Sequence, residues 1–365
     1  MPSSYMEQAI ALAREGSGRT SPNPAVGAVL VRHGQVVGRG YHVYANFDHA
    51  EIVALKQAGE QARGATLFVT LEPCSHQGRT GPCADALIEA GVCQVVAAMQ
   101  DPNPQVAGHG FERLRQAGVR VEIDTDLGEQ AAALNEAFNH FMRTQRPLVT
   151  LKAAVTLDGK ISAPQDNSGW ITSERARAHV QEMRHVSDAI LTGIGTVLAD
   201  DPLLTDRTGR ERSRPLLRIV LDSTLRIPLG SKMVSSAHDD LLLVATSAAP
   251  AQRKAALEAR GIEVLTCDGP DGRTNLQSVI RHLAGRNYQS LMVESGSKVN
   301  WAALEAKVVD KIFFYYAPKI LGGNNSLPVV GGVGRMRRRD AIKFKNIKLH
   351  SIPPDEFAVE GYIAS

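Results

Sequence analysis

Apolar and polar positions alternate along the chain with two different periods, which predict its strands and helices. Residues 26–41 hold two β-branched runs separated by His33-Gly34-Gln35, a pattern typical of a β-hairpin. Helical periodicity follows from Ala50 to Ala58. Beyond it, apolar strands at 66–74, 92–99 and 119–123 alternate with helices at 82–91 and 111–118. Strands that alternate with helices predict a three-layer α/β domain that ends near residue 125.

The same alternation begins again after a helical connector, residues 128–145, and Pro147. The second half has predicted strands at 147–155, 189–193, 216–222, 240–246, 262–265, 290–294 and 311–318, and helices at 173–186 and 251–261. We therefore predict two α/β domains, residues 1–145 and residues 146–365.

Composition argues against several classes of function. The 365 residues carry a net charge of only +3 and 5% aromatic residues, which disfavours nucleic acid as a partner. There is no run of 18 apolar residues, and the amphipathic N-terminus lacks the features of a signal peptide. We therefore expect a cytoplasmic protein without a membrane partner. Four cysteines in so long a chain do not indicate a disulfide framework.

His49, Cys74 and Cys83 form a candidate metal site. Zinc binds histidine nitrogen and thiolate sulfur, and a catalytic zinc keeps three protein ligands with a fourth position open to water. Glu51 lies two residues after His49 near a helix start, so its carboxylate can face the same cavity without binding the metal. Cys83 lies in the first turn of its predicted helix, where the dipole favours a thiolate. We predict a catalytic zinc with Glu51 as the proton-transfer group, and a structural zinc is the alternative.

The order H-x-E, then P-C and a second cysteine, is typical of zinc nucleobase deaminases. Here eight residues separate the cysteines, and this longer loop contains His76 and Arg79, which suit an anionic substrate group. Taken singly, each ligand has a simpler explanation, because one histidine or cysteine is usually a surface or packing residue. Cys93 and Cys267 lie in or beside apolar strands, and we predict that both are core residues.

The segments TSPNPAVGAVLV (20–31), GYH (40–42), HAE (49–51) and EPCSHQGRTGPC (72–83) resemble the deaminase half of the bifunctional deaminase/reductase family of riboflavin biosynthesis. The resemblance implies a cytidine-deaminase-like three-layer α/β/α fold for residues 1–145. It also implies that Asn23 hydrogen-bonds the pyrimidine and that His42, His76 and Arg79 lie near the substrate. Considered alone, Asn23 could be only a turn residue between two prolines.

Residues 151–162, 188–207, 219–228 and 291–304 resemble the reductase half of the same family. The resemblance implies an α/β fold similar to dihydrofolate reductase and NADPH as the cofactor. Residues 192–196 follow a strand and open a helix, and residues 294–304 repeat the arrangement, so each helix start could hold a phosphate. The G-x-G-x-x-G fingerprint is absent, which argues against a Rossmann domain.

The resemblance further implies the contacts of the reductase site. Cofactor contacts fall on Ala154, Trp170, Thr196, Asp200, Ser223, Gly296, Ser297, Lys298, Val299, Asn300, Trp301 and Ala302. Substrate contacts fall on Ser168, Arg184, Leu204, Arg207 and Glu294. A guanidinium binds phosphate in a bidentate manner, although either arginine alone would more simply be a surface charge. For Lys152 and Asp158, a structural ion pair and a catalytic role both stay open.

The resemblance as a whole implies a bifunctional enzyme of riboflavin biosynthesis, with one zinc ion in the deaminase domain. Hydroxide on that zinc would remove the 2-amino group of 2,5-diamino-6-(5-phosphoribosylamino)pyrimidin-4-one, and NADPH would then reduce the ribosyl group to ribityl. A homodimer is also implied. Two alternatives stay open from the residues: a nucleic-acid-editing zinc deaminase with an appended binding domain, and a non-catalytic assembly protein stabilised by zinc.

Overall fold

The computed structural model describes residues 4–77, 81–104, 106–165 and 169–364. The chain divides into two compact units, Met1–Gln145 with Glu211–Arg214, and Arg146–Arg210 with Pro215–Ser365. Each unit has its own main sheet and its own hydrophobic core. Within the described ranges, no helix is both long and apolar enough to cross a lipid bilayer.

The first unit is built from short helices and a mixed sheet. Its helices are α1 (Tyr5–Glu15), α2 (Ala50–Ala58), α3 (Cys83–Glu89), α4 (His109–Gln116), α5 (Gly128–Leu134) and α6 (Glu136–Thr144). Its strands are β1 (Gly27–Arg32), β2 (Gln35–Tyr41), β3 (Thr66–Val69), β4 (Gln94–Ala97) and β5 (Arg120–Ile123). The sheet order is β2-β1-β3-β4-β5, in which β1 is antiparallel to both neighbours and β3, β4 and β5 are parallel.

Helices cover both faces of this sheet because successive residues of each strand face opposite sides. Ala28 of β1 belongs to the core that α2, α3 and α4 complete, whereas the next residue, Val29, packs with α1 and α5. Gly40 of β2 lets α2 approach closely, since a Cβ there would lie 2.2 Å from the backbone oxygen of Ala50. The three-layer α/β prediction is therefore confirmed for this unit.

The connector, predicted as one helical segment, is two helices that meet at Asn135. This residue leaves helical geometry, with φ −110° and ψ 26°. Its buried amide instead exchanges two hydrogen bonds with the backbone of Ala25: the side-chain nitrogen donates to the carbonyl oxygen at 2.9 Å, and the side-chain oxygen accepts from the N–H at 2.8 Å. The break thus fixes the segment that precedes β1.

The second unit contains a larger sheet. Its helices are α7 (Glu174–Val186), α8 (Ile194–Asp200), α9 (Lys232–Ser235), α10 (Ala251–Glu258), α11 (Leu276–Gly285) and α12 (Ser297–Glu305). Its strands are β6 (Leu148–Thr156), β7 (Lys160–Ser162), β8 (Ala189–Gly193), β9 (Leu217–Leu221), β10 (Leu241–Ala245), β11 (Glu263–Thr266), β12 (Ser290–Val293), β13 (Lys311–Ala317), β14 (Leu327–Pro328), β15 (Phe344–Ile352) and β16 (Glu356–Ile363). The main sheet has the order β11-β10-β9-β8-β12-β6-β13-β16-β15, and β7 pairs with β14.

Parallel strands dominate the main sheet of this unit. All neighbours from β11 to β13 are parallel, and only β16 and β15 are added antiparallel among the described residues. Helices α11 and α12 pack on one face, and α8, α9 and α10 pack on the other. The carboxyl ends of β9, β8, β12 and β6 consequently lie side by side along one edge, which is where open α/β sheets bind ligands.

One cysteine prediction is wrong. Cys93 is exposed, and its thiol donates to the backbone oxygen of Gly64 at 3.2 Å. It directly precedes β4, and its apolar neighbours Val92 and Val95 take the buried positions instead. Cys267 is buried, as predicted.

Candidate active sites

The three predicted metal ligands lie together in the first unit. One donor atom from each of His49, Cys74 and Cys83 falls in a group in which all separations are within 4.8 Å. His49 Nδ1 lies 3.6 Å from Cys74 Sγ and 3.2 Å from Cys83 Sγ. A tetrahedral zinc with bonds of about 2.1 Å to nitrogen and 2.3 Å to sulfur holds such atoms roughly 3.6 Å apart. The donor types and their spacing therefore fit one zinc ion.

Two helix N-termini and one loop position these ligands. His49 is the N-cap residue of α2, and Cys83 is the first residue of α3. The backbone N–H of Cys83 donates to Cys74 Sγ at 3.3 Å. Hydrogen bonds from Cys83, its side chain first, lower the pKa of the Cys74 thiol to about 4, whereas the shared hydrogen bond and burial raise the pKa of Cys83. Binding of a metal ion would require both thiols in the deprotonated form.

Glu51 lies beside the ligands in a cavity of about 360 Å³. It is the second residue of α2 and is only 3% exposed. Burial raises the pKa of its carboxyl to about 7. A carboxyl with this pKa can both take and release a proton near neutral pH, which suits a general acid–base role.

Three of the four residues expected near the deaminase substrate line the same cavity: Asn23, His42 and His76. Arg79 lies outside the described residues. Nδ1 of His42 lies 2.8 Å from the backbone oxygen of Asp48. A carbonyl oxygen can only accept, so the proton of a neutral His42 is on Nδ1 and Nε2 is an acceptor.

The cavity is also lined by residues for which the sequence analysis predicts no role. They include Glu72, Asp101, Asn103, Phe138 and Met142. The sequence does offer a signal for Asp101 and Asn103, because they follow β4, and the carboxyl ends of the parallel strands β3 and β4 lie side by side. For Phe138 and Met142 no such signal exists, since an i, i+4 apolar pair on a helix usually indicates core packing.

The second unit places Glu294 between two cations directly after β12. Its Oε1 lies 3.0 Å from Lys152 Nζ, and its Oε2 lies 2.9 Å from Arg184 Nη2. Burial opposes ionisation of this carboxyl, but the charges and hydrogen bonds of Lys152 and Arg184 outweigh burial and lower its pKa to about 2. Two cations around one carboxylate leave an excess of positive charge, which favours an anionic ligand.

Several expected cofactor positions lie at the carboxyl edge of the parallel strands. Thr196 belongs to α8 after β8, Ser223 follows β9, and Gly296 is the N-cap residue of α12 after β12. At the start of α12, the hydroxyl of Ser297 is buried and has no hydrogen-bond partner among the residues that the structure describes. An unpaired hydroxyl at a helix N-terminus suits a phosphate group, so this edge fits a nucleotide cofactor.

The carboxyl end of β8 packs against the segment after β12 and the start of α12. The backbone N–H of Gly193 donates to Ser295 Oγ at 3.0 Å. A Cβ on Gly193 would lie only 2.7 Å from Cγ2 of Val299. Close packing therefore leaves no room for a side chain at Gly193, the first glycine of the predicted phosphate turn.

The remaining expected contacts of the reductase site differ in exposure. Ala154 is half-buried in β6, and Asp200 ends α8. Trp170 is 69% exposed and stacks with Arg177, whose guanidinium carbon lies 4.8 Å from the ring centre. The other positions within α12 are the exposed Lys298, the half-buried Val299 and Ala302, and the buried Asn300 and Trp301. In the substrate set, Leu204 is buried and Arg207 is exposed, and Ser168 lies outside the described residues.

Family models match both halves of the chain. Residues 2–99 match the cytidine and deoxycytidylate deaminase zinc-binding region, and residues 147–355 match the RibD C-terminal domain. A metal-binding deaminase domain and a reductase domain are thus joined in one chain.

Relatives match over nearly the full length. RibD of Actinobacillus pleuropneumoniae is 43% identical over 93% of this chain and 90% of its own, and Escherichia coli RibD is 42% identical over 94% and 95%. The solved structure of Acinetobacter baumannii RibD has a TM-score of 0.87 at 35% identity and covers 99% of this chain and 98% of its own. The chain belongs to the RibD family of bifunctional deaminase/reductases of riboflavin biosynthesis. The predictions of family, fold class and enzyme class are confirmed.

A second solved structure carries a more specific name. It is a diaminohydroxyphosphoribosylaminopyrimidine deaminase/5-amino-6-(5-phosphoribosylamino)uracil reductase from Thermotoga maritima. Its TM-score is 0.80 at 36% identity, and the match covers 99% of this chain and 98% of that protein.

Proposed function

We propose that residues 1–145 deaminate 2,5-diamino-6-(5-phosphoribosylamino)pyrimidin-4-one and that residues 146–365 reduce the ribosyl group of the product with NADPH. The printed name of the Thermotoga maritima relative supports this choice of substrate. The observation that carries the proposal is the group of His49, Cys74 and Cys83, with the buried Glu51 in the same cavity.

In the proposed deaminase step, a zinc ion would activate water, and side chains of this chain would transfer the proton and orient the substrate. His49, Cys74 and Cys83 would hold zinc, which lowers the pKa of water to about 7 and so supplies the nucleophile. The Glu51 carboxyl, with its pKa of about 7, would take a proton from water and donate it to the leaving amine. Asn23 would bind the pyrimidine ring and hold it in a fixed orientation.

The proposed reductase step relies on binding and orientation. NADPH supplies the hydride, so the protein's part is to place cofactor and sugar against each other. The N-terminus of α12, where the Ser297 hydroxyl has no hydrogen-bond partner within the described parts of the chain, would hold the cofactor's pyrophosphate. Arg184 and Lys152, held by Glu294, would attract the phosphorylated substrate.

An assay with the diaminopyrimidine ribotide as the sole substrate tests both halves. Ammonia release reports the deaminase, and loss of absorbance at roughly 340 nm reports the oxidation of NADPH. We expect both signals from the unmodified chain. Ammonia without NADPH oxidation would contradict the reductase proposal, and neither signal from a zinc-containing protein would contradict both.

Glu51→Gln sharpens the test because it removes the proton-transfer group at nearly constant size. We expect ammonia release to fall by about 10²–10⁴-fold, with zinc retained. NADPH oxidation with the previously deaminated substrate should not change. Glu60→Gln, at an exposed position just beyond α2, is the matched control and should keep both activities.

The homodimer and the cytoplasmic location stay predictions. Light scattering on the purified protein at several concentrations tests the homodimer, and fractionation of expressing cells tests the location.

A further inference from the structure

Glu72 is a buried carboxylate that the proposed metal site does not use, although it lies two residues before a metal ligand. It is 5% exposed. Its Oε2 accepts hydrogen bonds from the backbone N–H groups of Asp101 at 3.1 Å and Gly108 at 3.0 Å. Its Oε1 accepts from the N–H groups of Gly110 at 2.9 Å and Phe111 at 3.2 Å. Each oxygen therefore has two backbone donors.

These donors belong to the start of α4 and to the segment before it. Gly108 is the N-cap residue of α4, and Gly110 and Phe111 lie in the first turn, whose N–H groups have no acceptor within the helix. A glycine N-cap has no side chain that could serve them. The carboxylate of Glu72 takes this place, and its negative charge also complements the helix dipole.

Close packing joins the same two segments. A Cβ on Gly110 would lie 2.0 Å from the carbonyl oxygen of Pro73, so α4 begins in direct contact with the loop that carries the metal ligand. The backbone N–H of Glu72 also donates to the carbonyl oxygen of Met99 at 3.0 Å. The loop before Cys74 thus contacts the segment after β4 through the backbone of both Glu72 and Pro73.

The segment that Glu72 holds contributes two polar residues to the cavity, Asp101 and Asn103. Oδ1 of Asp101 accepts from the backbone N–H of Asn103 at 2.8 Å, and the carbonyl oxygen of Asn103 accepts from Val106 at 3.0 Å. Glu72 therefore holds Asp101, and Asp101 in turn holds the turn that contains Asn103.

We propose that Glu72 is a positioning residue of the deaminase: its carboxylate sets where Asp101 and Asn103 meet the substrate. The inference rests on the proposed deaminase function. A carboxylate that served only as a helix cap would affect stability and leave the KM of the substrate unchanged. Displacement of the cavity turn instead raises KM, while kcat is kept because the metal ligands and Glu51 stay in place.

Glu72→Gln tests the proposal, because it keeps the side chain's size and puts an NH₂ group where one oxygen accepts two N–H groups. We expect the KM for the diaminopyrimidine ribotide to rise by about tenfold or more. We expect kcat to stay within about twofold and the zinc content to stay unchanged. Glu112→Gln is the matched control, since it removes the same charge from an exposed position of α4 and should leave KM unchanged. NADPH oxidation with the previously deaminated substrate should be unaffected in both variants.

A double-mutant cycle with Asn103→Ala shows whether Glu72 acts through the cavity turn. Residues that act through one element are not additive, so Glu72→Gln should raise KM less when Asn103→Ala is already present. An equal rise in both backgrounds would overturn the proposal, as would loss of zinc and kcat at unchanged KM. If the glutamine variant does not fold, Glu72→Asp must show the rise in KM, because its carboxylate is one methylene too short; an unchanged KM there overturns the proposal. Absence of ammonia release from the unmodified chain would refute the deaminase function instead.

Discussion

The side-chain nitrogen of Asn23 lies 3.0 Å from Nε2 of His42. Since the proton of His42 is on Nδ1, facing the backbone oxygen of Asp48, Nε2 accepts a hydrogen bond from the Asn23 amide. This contact fixes the direction of the amide and turns its oxygen into the group that can accept from a pyrimidine N–H. Asn23 also lines the cavity, which supports the binding role proposed for it.

Asn23→Leu removes both hydrogen bonds at similar volume. We expect kcat/KM for deamination to fall by at least about tenfold, with unchanged zinc content, because the ring loses an acceptor and His42 loses a donor. Ammonia release at several substrate concentrations measures the effect. Asn46→Leu, at an exposed position of the neighbouring loop, serves as the control. Unchanged kcat/KM in Asn23→Leu would show that Asn23 is only a turn residue.

The four cysteines give a direct test of the metal site. Cys83→Ser removes a ligand, so zinc retained after dialysis should fall by about tenfold or more, and ammonia release should fall with it. Cys93→Ser changes an exposed thiol outside the ligand group and should keep full zinc content. Atomic absorption on both variants gives the comparison. Equal zinc content in both would remove Cys83 from the ligand set.

The pKa of Glu294 predicts how the stability of the second unit depends on pH. Its folded-state value of about 2 lies below the ordinary value of 4.5, so the carboxylate stabilises the fold above about pH 4.5, and this contribution is lost as the pH falls toward 2. We expect Glu294→Gln to lower the free energy of unfolding by about 3 kcal/mol at pH 7, because Lys152 and Arg184 lose their counter-charge. The difference from the unmodified protein should shrink below pH 4.5.

Tryptophan fluorescence during urea unfolding measures this difference, since both tryptophans, Trp170 and Trp301, belong to the second unit. Glu305→Gln, at an exposed position of α12, should show no such dependence on pH. Equal stability of Glu294→Gln and the unmodified protein at pH 7 would contradict the prediction.

A substitution at Gly195 tests contact with the cofactor without disturbing the packing of the protein. A Cβ at this position of α8 would meet no atom from other described parts of the chain within 4 Å, so Gly195→Ala should leave stability unchanged or raise it by up to about 1 kcal/mol. If the cofactor's phosphates approach this turn, the added methyl group should raise the KM for NADPH by about tenfold. Gly285→Ala, in equally open space at the end of α11, should leave that KM unchanged. An unchanged KM for NADPH in Gly195→Ala would show that the cofactor's phosphates do not lie next to α8.

Elements with a local pattern could be predicted from the sequence, whereas those that depend on distant partners could not. Helix α2 begins at Ala50 and ends at Ala58 as expected, and the hairpin turns at His33-Gly34. Strand β15 carries no prediction because it is an edge strand that exposes most of its residues, so it shows no alternation of buried and exposed positions.

The candidate site divides in the same manner. The candidate metal ligands could be named from the sequence because zinc accepts few residue types and their order along the chain is characteristic. Glu72 could not, since its partner Phe111 is 39 positions away and nothing in the local sequence separates it from a surface glutamate. Phe138 and Met142 reach the cavity from the connector, whose apolar pattern indicates only a buried face.

Helix α6 lies beyond the part of the chain that matches the deaminase family model, yet it lines the deaminase cavity. All three candidate metal ligands precede residue 84, and the family match ends at residue 99, yet one wall of the cavity comes from Phe138 and Met142. A chain without α6 would keep all three candidate metal ligands and Glu51, and its cavity would be open on that side. A relative that differed only in α6 would therefore present a differently shaped cavity around the same candidate metal ligands.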